Sequence, residues 1–231
     1  MKSQNFALAF VAILLSSCES STSPKSSQTV DTSAIPWNAA ITYGSLDDAR
    51  DGQSYKTVKI GAHTWMAQNL NYSVDSSWCY GGSSDSCAKY GRLYQWAAAM
   101  DLPSVDDTIT WGGNSSTHQG ICPTGWRIPT DSEWMELWDT TGNSYAVSHA
   151  LRSMKGWNNG YNGTDSIGFR VLPSGYRDGG TFLYSGSITG FWSATETGPS
   201  IAAYISLASD DHIQSLPGLK QTAYSLRCIK N

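Results

Sequence analysis

The chain has 231 residues, a formal net charge of −4 and only 15% charged residues, but ten tryptophans, twelve tyrosines and 22 glycines. It contains no basic block that would neutralise nucleic-acid phosphates, which excludes nucleic acid as an expected partner. The many aromatic residues and glycines indicate a loop-rich fold held together by aromatic contacts, a composition typical of extracellular modules.

The N-terminus has the pattern of a bacterial lipoprotein signal. Lys2 precedes an apolar run from Phe6 to Leu15, whose length of about ten residues suits a signal-peptide core and not a membrane span. The sequence Leu15-Ser16-Ser17-Cys18 fits the bacterial lipobox. We therefore predict that residues 1–17 are removed and that Cys18, acylated with chains such as palmitate, anchors the protein to a lipid membrane. The alternative is an ordinary secretory signal with a coincidental cysteine.

A polar segment rich in serine and threonine follows Cys18 and predicts a flexible tether over residues 18–49. Residues 50–231 are long enough for one domain with a hydrophobic core. Glu19 directly after Cys18 favours the outer membrane under the sorting rule known for some Gram-negative bacteria. The predicted location is the cell envelope, either in the periplasm or at the cell surface.

Four cysteines remain in the mature chain once Cys18 carries lipid. An even number in an oxidising compartment favours two disulfides, for which three pairings are possible. We favour Cys79 with Cys87, which flank a glycine- and serine-rich turn, and Cys122 with Cys228. The competing four-cysteine zinc site lacks any Cys-x-x-Cys spacing.

The first half of the domain predicts a hairpin, a helix and a loop. Alternating residues over 54–60, the turn Gly61-Ala62 and residues 63–66 form the hairpin. Apolar residues at helical spacing predict a helix from Lys89 to Met100. The polar stretch 101–120 is expected to be a long surface loop.

The second half predicts two more helices followed by strands. Thr130 and Glu133 form a capping box that starts the second helix, which Gly142 ends. A shorter third helix covers Val147 to Met154. Short strands are then predicted at 169–172, 190–195, 201–207 and 224–229, forming a twisted antiparallel sheet.

These motifs resemble the Fibrobacter succinogenes major paralogous domain family, a set of bacterial envelope proteins usually carried on lipoprotein signals. The resemblance runs from Arg50 to the C-terminus. The matching motifs are RDGQSYKTV (50–58), WMAQNLNY (65–72), YGRLYQWAAAM (90–100), CPTGWRIPTDSEW (122–134), PSGYR (173–177), FWSATE (191–196) and YSLRCIK (224–230).

The family resembles, more distantly, the C-type-lectin-like fold shared with formylglycine-generating enzymes. The resemblance implies an α+β fold of the C-type-lectin-like kind, loop-rich and disulfide-braced, with two to three helices packed on twisted antiparallel sheet. It implies no particular activity, because one scaffold of this kind serves sugar binding, protein binding and oxidation alike.

Catalysis and metal binding find little support in the residues. The four histidines lie far apart, without the spacing of a metal site, and no nucleophile motif is present. We predict a protein that is not an enzyme and needs no cofactor. The alternative is a metal-dependent oxidase related to formylglycine-generating enzymes. Calcium is a further alternative, for which Trp157-Asn158-Asn159 and Asp210-Asp211 are weak matches to a C-type-lectin site.

A metal-free binding surface is the preferred function. Aromatic residues in loops stack on sugar rings or anchor proteins, although each can equally fill the core. The predicted ligand-binding residues are Trp111, Trp157, Asn158, Asn159, Tyr161 and Tyr176. The expected partner is extracellular polysaccharide or another surface polymer, and the alternative is an envelope protein bound by an interaction or assembly module.

Other motif residues are assigned to architecture. Five tryptophans in periodic or motif positions are expected in the core: Trp65, Trp96, Trp126, Trp134 and Trp192. Four arginines are expected to be buried, paired with carboxylates, and to lock irregular loops: Arg92, Arg127, Arg177 and Arg227.

Overall fold

The computed structural model describes residues 35–139, 144–209 and 213–231. The predicted signal peptide, Cys18 and the first part of the predicted tether therefore lie outside the described residues. Gly142, Asp210, Asp211 and His212 also lie outside them.

Strands outnumber helices in the described part of the chain. The strands are β1 (Gly44–Asp48), β2 (Gln53–Ile60), β3 (His63–Met66), β4 (Ser77–Trp78), β5 (Leu93–Tyr94), β6 (Trp126–Arg127), β7 (Tyr176–Asp178), β8 (Thr181–Leu183), β9 (Ile188–Gly198), β10 (Ile201–Ala208), β11 (Ile213–Leu219) and β12 (Ile229–Lys230). The α-helices are α1 (Ser84–Tyr90), α2 (Trp96–Ala99), α3 (Asp131–Asp139) and α4 (Ser144–Leu151). Single 3-10 turns occupy Tyr80–Gly82, Ser104–Asp107 and Asn158–Gly160. The fold is mixed α and β, mostly antiparallel sheet with few helices.

The largest sheet has five strands in the order β1-β2-β3-β12-β6, and each neighbouring pair is antiparallel. Its centre is the predicted hairpin of β2 and β3, in which Val58 lies opposite Trp65. Gly61 in the turn has a φ of 59°, which glycine adopts without strain. The final strand β12 lies between β3 and β6, with Ile229 opposite both Trp65 and Arg127. The end of the domain is therefore built into the sheet that its beginning forms.

A second sheet has the antiparallel order β11-β10-β9. Strands β9 and β10 confirm the strands predicted at 190–195 and 201–207. The sequence did not predict β11, because Pro217 and Gly218 oppose a regular strand. The structure places β11 at the outer position of the sheet, where a proline is tolerated. Two pairs of short strands, β4 with β5 and β7 with β8, complete the β-structure of the described residues.

The folded domain begins before residue 50, where the sequence placed its boundary. Strand β1 pairs with β2 along its whole length. Ile35 is only 4% exposed and packs with Tyr90 and Leu172. Residues 35–49 are therefore part of the domain and not of a tether, although their polar composition hides this in the sequence.

The helix predicted from Lys89 to Met100 is wrong. Helix α1 ends at Tyr90, strand β5 follows, and helix α2 covers only four residues. Gly91 separates α1 from β5 with a φ of 72°, and a Cβ at this position would lie 2.7 Å from the carbonyl oxygen of Leu70. The chain leaves the helix at a glycine that has no room for a side chain. The apolar spacing that suggested one helix arises because separate short elements all bury residues: Tyr94 of β5 and Trp96 of α2 in one core cluster, and Tyr90 of α1 in another.

The capping box predicted for the second helix is confirmed. The Glu133 N–H donates to Thr130 Oγ1 at 3.3 Å, the Thr130 N–H donates to Glu133 Oε2 at 2.9 Å, and α3 begins at the next residue, Asp131. The third helix is present as α4 but ends at Leu151, before the predicted Met154.

The strands predicted at 169–172 and 224–229 are reduced to isolated bridges at Val171, Tyr224 and Ser225 and to Ile229, which opens β12. Arg170 has a φ of 52°, which a strand cannot accommodate. The carbonyl groups of residues 169 and 170 accept hydrogen bonds from the Arg227 side chain instead of from a neighbouring strand. A buried side chain therefore replaces strand pairing at these two residues.

Two disulfides brace the domain, with the pairing that the sequence favours. Cys79–Cys87 spans 8 residues, and Cys122–Cys228 spans 106 residues. The core consists mainly of two clusters of buried side chains. All five tryptophans assigned to the core are buried, which confirms that prediction.

Candidate functional site

Trp157 is a core residue and not a ligand-binding ring. Its side chain is 4% exposed, and its indole N–H donates to the carbonyl oxygen of Val171 at 3.1 Å. Arg152 lies 5.4 Å from the centre of the ring. The ring has no accessible face on which a sugar could stack, so the prediction of a ligand contact at Trp157 is wrong.

The three neighbouring predicted residues lie at the surface. Asn158 Nδ2 donates to Ser187 Oγ at 3.2 Å, and this bond holds the turn against the residue that directly precedes β9. Asn159 adopts a φ of 55°, and Tyr161 is 44% exposed. They form an exposed turn, and their assignment to a ligand remains a prediction.

Trp111 is half-buried at the base of the predicted long loop. Its ring meets Trp96 and His118 edge-on, with centroids 6.0 and 4.8 Å away. Its backbone N–H donates to Glu196 Oε1 at 2.8 Å, and the same carboxylate oxygen accepts from the buried Lys220 ammonium at 2.5 Å. These contacts hold the loop against the core and account for Trp111 without a ligand.

Tyr176 belongs to a row of four tyrosines. Its ring centroid lies 5.7 Å from that of Tyr184 and 5.5 Å from that of Tyr224, which in turn lies 4.2 Å from Tyr204. Rings packed face to face cover the surfaces on which a sugar would stack. Tyr184, at 55% exposure, is the most open member of the row.

A pocket of about 300 Å³, which we call the amide pocket, lies between β2, the segment after β3, and helix α1. Its lining residues are Gln53, Ser54, Tyr55, Ala67, Gln68, Asn69, Asn71, Cys87, Ala88, Lys89, Gly91, Arg170, Leu172 and Arg227. None of the six residues predicted to bind ligand is among them. The volume is at the lower end of the range for small-molecule sites.

Asn69 forms part of the amide pocket and is held from both ends of its side chain. Its Nδ2 donates to the carbonyl oxygen of Tyr90 at 2.8 Å, and its Oδ1 accepts from Arg227 Nε at 2.8 Å. Asn69 is 7% exposed. A buried amide with both groups bonded fixes the geometry of the wall around it.

Gln53 and Asn71 form a second fixed pair. Asn71 Nδ2 donates to Gln53 Oε1 at 3.0 Å, and Gln53 Nε2 donates to the Asn71 carbonyl oxygen at 3.2 Å. The Tyr55 hydroxyl accepts from the Asn71 backbone N–H at 3.1 Å. Asn71 Oδ1, however, is buried and accepts from no described residue. A buried acceptor without a donor is costly to stability, and its burial closes it to a ligand in the pocket.

Gln68 adds a further amide. Its Oε1 accepts from the Lys56 backbone N–H at 2.7 Å, which positions the side chain beside β2. Its Nε2 donates to no residue within the described ranges. Gln68 therefore offers the pocket an unused amide donor.

Arg227 is fully buried behind these amides. It is 1% exposed, lies 4.3 Å from the Phe169 ring, and donates to the carbonyl oxygens of Phe169 and Arg170. Burial, reinforced by repulsion from Arg170, lowers the pKa of Arg227 to about 9. The hydrogen bonds of the guanidinium thus go to neutral groups, and the Asp165 carboxylate acts on its charge without bonding to it.

Arg170 places a second cation beside the first. Its guanidinium lies 4.2 Å from the centre of the Trp37 ring, and its Nη2 donates to the Ile35 carbonyl oxygen at 2.9 Å. Burial lowers the pKa of Arg170 as well. The nearby carboxylate is that of Asp165. Burial raises the pKa of Asp165 to about 6, although the hydrogen bond from the Arg170 backbone N–H and the charges of Arg227 and Arg170 act to lower it.

An open groove of about 510 Å³ borders the amide pocket and shares Ser54, Tyr55 and Gln68 with it. Trp37 lines this groove but lies against two cations, Arg170 at 4.2 Å and Lys56 at 5.1 Å. Its ring therefore shields the arginine and offers little free surface for stacking.

The predicted roles of the four motif arginines hold only in part. Arg127 makes a two-pronged ion pair with Glu133, as expected. Arg92 instead donates to Ser77 and to the sulfurs of the local disulfide, and Arg177 lies 4.0 Å from the Trp78 ring. Arg227 donates to carbonyls and to an amide.

The sequence holds a signal for the amide pocket that our prediction of ligand-binding residues did not include; Arg227 alone was assigned a role, in architecture. The motifs that carry the family resemblance include five residues of the pocket: Gln53, Gln68, Asn69, Asn71 and Arg227. Three amides within four positions after a strand are unusual for a structural segment, because each needs partners when buried. The pairing across the chain that creates the pocket cannot be read from the sequence.

The described ranges contain neither a cluster of metal-binding side chains nor a membrane-spanning helix. No three His, Cys, Asp or Glu side chains there form a group suited to a metal ion. No helix among these residues has both the length and the apolar character needed to cross a membrane.

Comparison with known proteins gives one match. The model of the Fibrobacter succinogenes major domain family matches residues 58–230, about three quarters of the chain. No curated protein and no solved structure matches significantly.

Proposed function

We propose that this chain, which belongs to the Fibrobacter succinogenes major domain family, is a noncatalytic module that binds extracellular carbohydrate in its amide pocket. The supporting observation is the group of four side-chain amides that lines that pocket, those of Gln53, Gln68, Asn69 and Asn71, among which Gln68 Nε2 donates to no residue within the described ranges. Sugar hydroxyls both donate and accept hydrogen bonds, so a wall of amides suits a sugar ring.

The setting of these groups favours binding over mere packing. Two side-chain hydrogen bonds hold Asn69 and three hold Gln53, so the pocket is formed before a ligand arrives. A preformed site loses little side-chain entropy on binding. We assign no catalytic residue, because the polar groups of the pocket are amides, cations and the hydroxyls of Ser54 and Tyr55, and burial raises the pKa of Tyr55 to about 12. Such groups make poor proton carriers near neutral pH.

The proposal includes the placement of the module. We infer that the protein is exported, that Cys18 is acylated, and that the domain is displayed from the cell envelope, with the outer membrane favoured. We also propose a C-type-lectin-like architecture. The position of β12 between β3 and β6 supports it, since this arrangement joins the two ends of the domain.

The test uses a variant that closes the pocket without removing any of its hydrogen bonds. Ala88 is exposed, lies on α1 and lines the pocket, so Ala88→Trp fills the entrance. Ala62, exposed in the β2–β3 turn and outside the pocket lining, supplies the matched control Ala62→Trp. The mature protein and both variants are screened on a glycan array with and without calcium, and binding is quantified by calorimetry.

We expect the wild type and Ala62→Trp to bind the same glycans, and Ala88→Trp to lose at least about tenfold in affinity. Binding that requires calcium would favour the calcium alternative. A flat array for all three proteins, or equal binding by Ala88→Trp, would contradict carbohydrate binding in the amide pocket.

A second candidate is a protein-interaction module. The observation that favours it is the outer strand β11, which pairs on one side only among the described residues and carries Leu219 at 58% exposure. An unpaired strand edge accepts a further strand from a partner. A Leu219→Lys variant would then lose a partner cross-linked at β11 in envelope preparations, whereas an unchanged cross-linking pattern would count against this function.

A further inference from the structure

The amide pocket carries an imbalance of charge. Arg170 and Arg227 lie on one side of it, and no acidic residue is among the described residues that line it. Two carboxylates do bond to lining side chains, Asp51 to Gln53 and Asp47 to Ser54, but both are exposed to solvent on the opposite side, beside β2. The protein as a whole has a formal net charge of −4, so this concentration of positive charge is local and runs against the composition. A pocket lined by one sign of charge attracts ligands of the opposite sign.

The two arginines are only partly neutralised by the described residues. Arg227 is 1% exposed and Arg170 is 8% exposed, and the hydrogen bonds of both guanidinium groups go to carbonyl or amide oxygens. Asp165 supplies one buried carboxylate near two buried cations. One positive charge therefore remains beside the pocket, and an anion in the pocket would offset it.

We propose that the amide pocket selects a sugar that carries a carboxylate, a uronic acid within an acidic polysaccharide; this inference rests on the proposed function. The carboxylate faces the arginine side of the pocket. The ring hydroxyls meet the wall of amides, in which Gln68 Nε2 is the unused donor. Recognition thus uses charge to choose the sugar and amides to orient it.

The lining argues for a sugar and against the other common anions. A peptide carboxylate would bring apolar side chains, and the apolar groups that line the amide pocket are few: Tyr55, Leu172, the disulfide sulfur of Cys87 and two alanines. A phosphate is recognised by many N–H donors converging on one point. Here the amide groups of Asn69, Asn71 and Gln53 already donate to oxygens of the protein.

The experiment compares two ligands that differ only in charge. Trigalacturonate and its methyl ester have the same sugar rings and hydroxyls, but the ester is neutral. Calorimetry at pH 7.5 with the whole mature protein is expected to show the acid binding at least about tenfold more tightly, and this preference is expected to shrink as sodium chloride is raised to about 1 M.

A pair of variants tests the charge of the pocket itself. Ala88→Glu places a carboxylate at the entrance, and Ala88→Gln has the same size without the charge. We expect Ala88→Glu to weaken binding of trigalacturonate at least about fivefold relative to Ala88→Gln. The two variants are expected to bind the neutral ester equally.

The outcomes separate this inference from the function on which it rests. Equal binding of acid and ester, both abolished by Ala88→Trp, would overturn the anion preference and leave carbohydrate binding standing. The same follows if only neutral glycans of the array bind. Failure of every glycan would overturn both. Competition by a glutamate-rich hexapeptide or by inorganic phosphate at equal concentration would show an anion site that is not specific for sugars.

Discussion

Arg227 donates from Nε to Asn69 Oδ1 at 2.8 Å, and the two residues lie 158 positions apart in the chain. Both side chains are buried, at 1% and 7% exposure. The bond joins the segment after β3 to the segment before β12, and both residues line the amide pocket. The pocket therefore exists only when the beginning and the end of the domain have come together.

Arg227→Lys is the first prediction. Lysine keeps the charge but cannot reach Asn69 and the carbonyl oxygens of residues 169 and 170 with one planar group. We expect a loss of about 3 kcal/mol in the free energy of unfolding, measured in guanidinium, because buried acceptors are left unpaired. Lys230→Arg, at an exposed neighbouring position, is the control and should unfold like the wild type. An Arg227→Lys protein within about 0.5 kcal/mol of the wild type would contradict the role of the guanidinium.

The second prediction concerns the ion pair of Arg127 with Glu133. Burial opposes ionisation of Glu133, but the hydrogen bonds from Arg127 and Thr130 outweigh it and hold the pKa of Glu133 below its ordinary 4.5. A lowered pKa gives stability that is present above pH 4.5 and is lost as the pH falls through the folded-state value. Glu133→Gln should therefore cost about 2 kcal/mol at pH 7 and progressively less below pH 4.5.

Glu136→Gln is the control for this measurement, because Glu136 lies on the same helix but its side chain is 62% exposed. Its effect should stay within about 0.5 kcal/mol at every pH. A Glu133 effect that does not change between pH 7 and pH 3 would show that the charge contributes nothing.

The third prediction ranks the two disulfides. In the chain-entropy model a bridge stabilises according to the length of the loop it closes, which gives about 5 kcal/mol for Cys122–Cys228 and about 2.5 kcal/mol for Cys79–Cys87. The double alanine variants, unfolded in urea, should differ in that order. The reverse order would indicate that the local bridge supports the amide pocket wall at Cys87 more strongly than loop closure predicts.

The fourth prediction separates core from surface among the aromatic residues that the sequence assigned to ligand binding. Trp157→Ala should destabilise the domain by about 4 kcal/mol, because the ring is buried in the second core cluster. Tyr161→Ala should change stability by less than about 0.5 kcal/mol, because Tyr161 is 44% exposed. Thermal unfolding with equal effects for both variants would contradict these placements.

The fifth prediction is a pH dependence of acidic-sugar binding. The pKa of Asp165 is raised to about 6, so lowering the pH from 7.5 to 5 protonates it and leaves Arg170 and Arg227 less compensated. Trigalacturonate stays largely ionised at pH 5, because ordinary carboxyls titrate at about pH 4. Its affinity should rise about threefold over this range.

Asp165→Asn is the matched variant for this measurement, since asparagine tolerates the φ of 49° at this position. The groups that face Asp165 are Tyr43, Arg170 and Arg227, and neither arginine nor the tyrosine titrates between pH 5 and 7.5. The variant should bind at pH 7.5 as the wild type does at pH 5, with little pH dependence. A pH dependence that survives the substitution would assign it to another group.

Features that depend on neighbouring residues were predictable from the sequence, whereas features that depend on distant contacts were not. The capping box of Thr130 and Glu133 and the hairpin of β2 and β3 satisfy their hydrogen bonds locally. The helix predicted through Gly91 failed because Leu70, distant in sequence, occupies the space that a side chain would need.

The same distinction explains the candidate site. Aromatic residues in loops looked available for ligands, but Trp157 and Trp111 are engaged by Val171 and Glu196, partners that no local pattern reveals. The amide pocket went unpredicted because its walls come from segments that meet only in the folded chain. The amide-rich motif after β3 was visible in the sequence, but its position in the fold, opposite Arg170 and Arg227, was not.

Side-chain amide resonances give the most direct test of the central claim. In ¹⁵N-labelled protein titrated with trigalacturonate, the account predicts shifts of the side-chain NH2 groups of Gln53, Gln68 and Asn71, with those of Asn158 and Asn159 unmoved. Shifts confined to Asn158 and Asn159, or no shift at the three pocket amides while binding is seen by calorimetry, would contradict carbohydrate binding in the amide pocket.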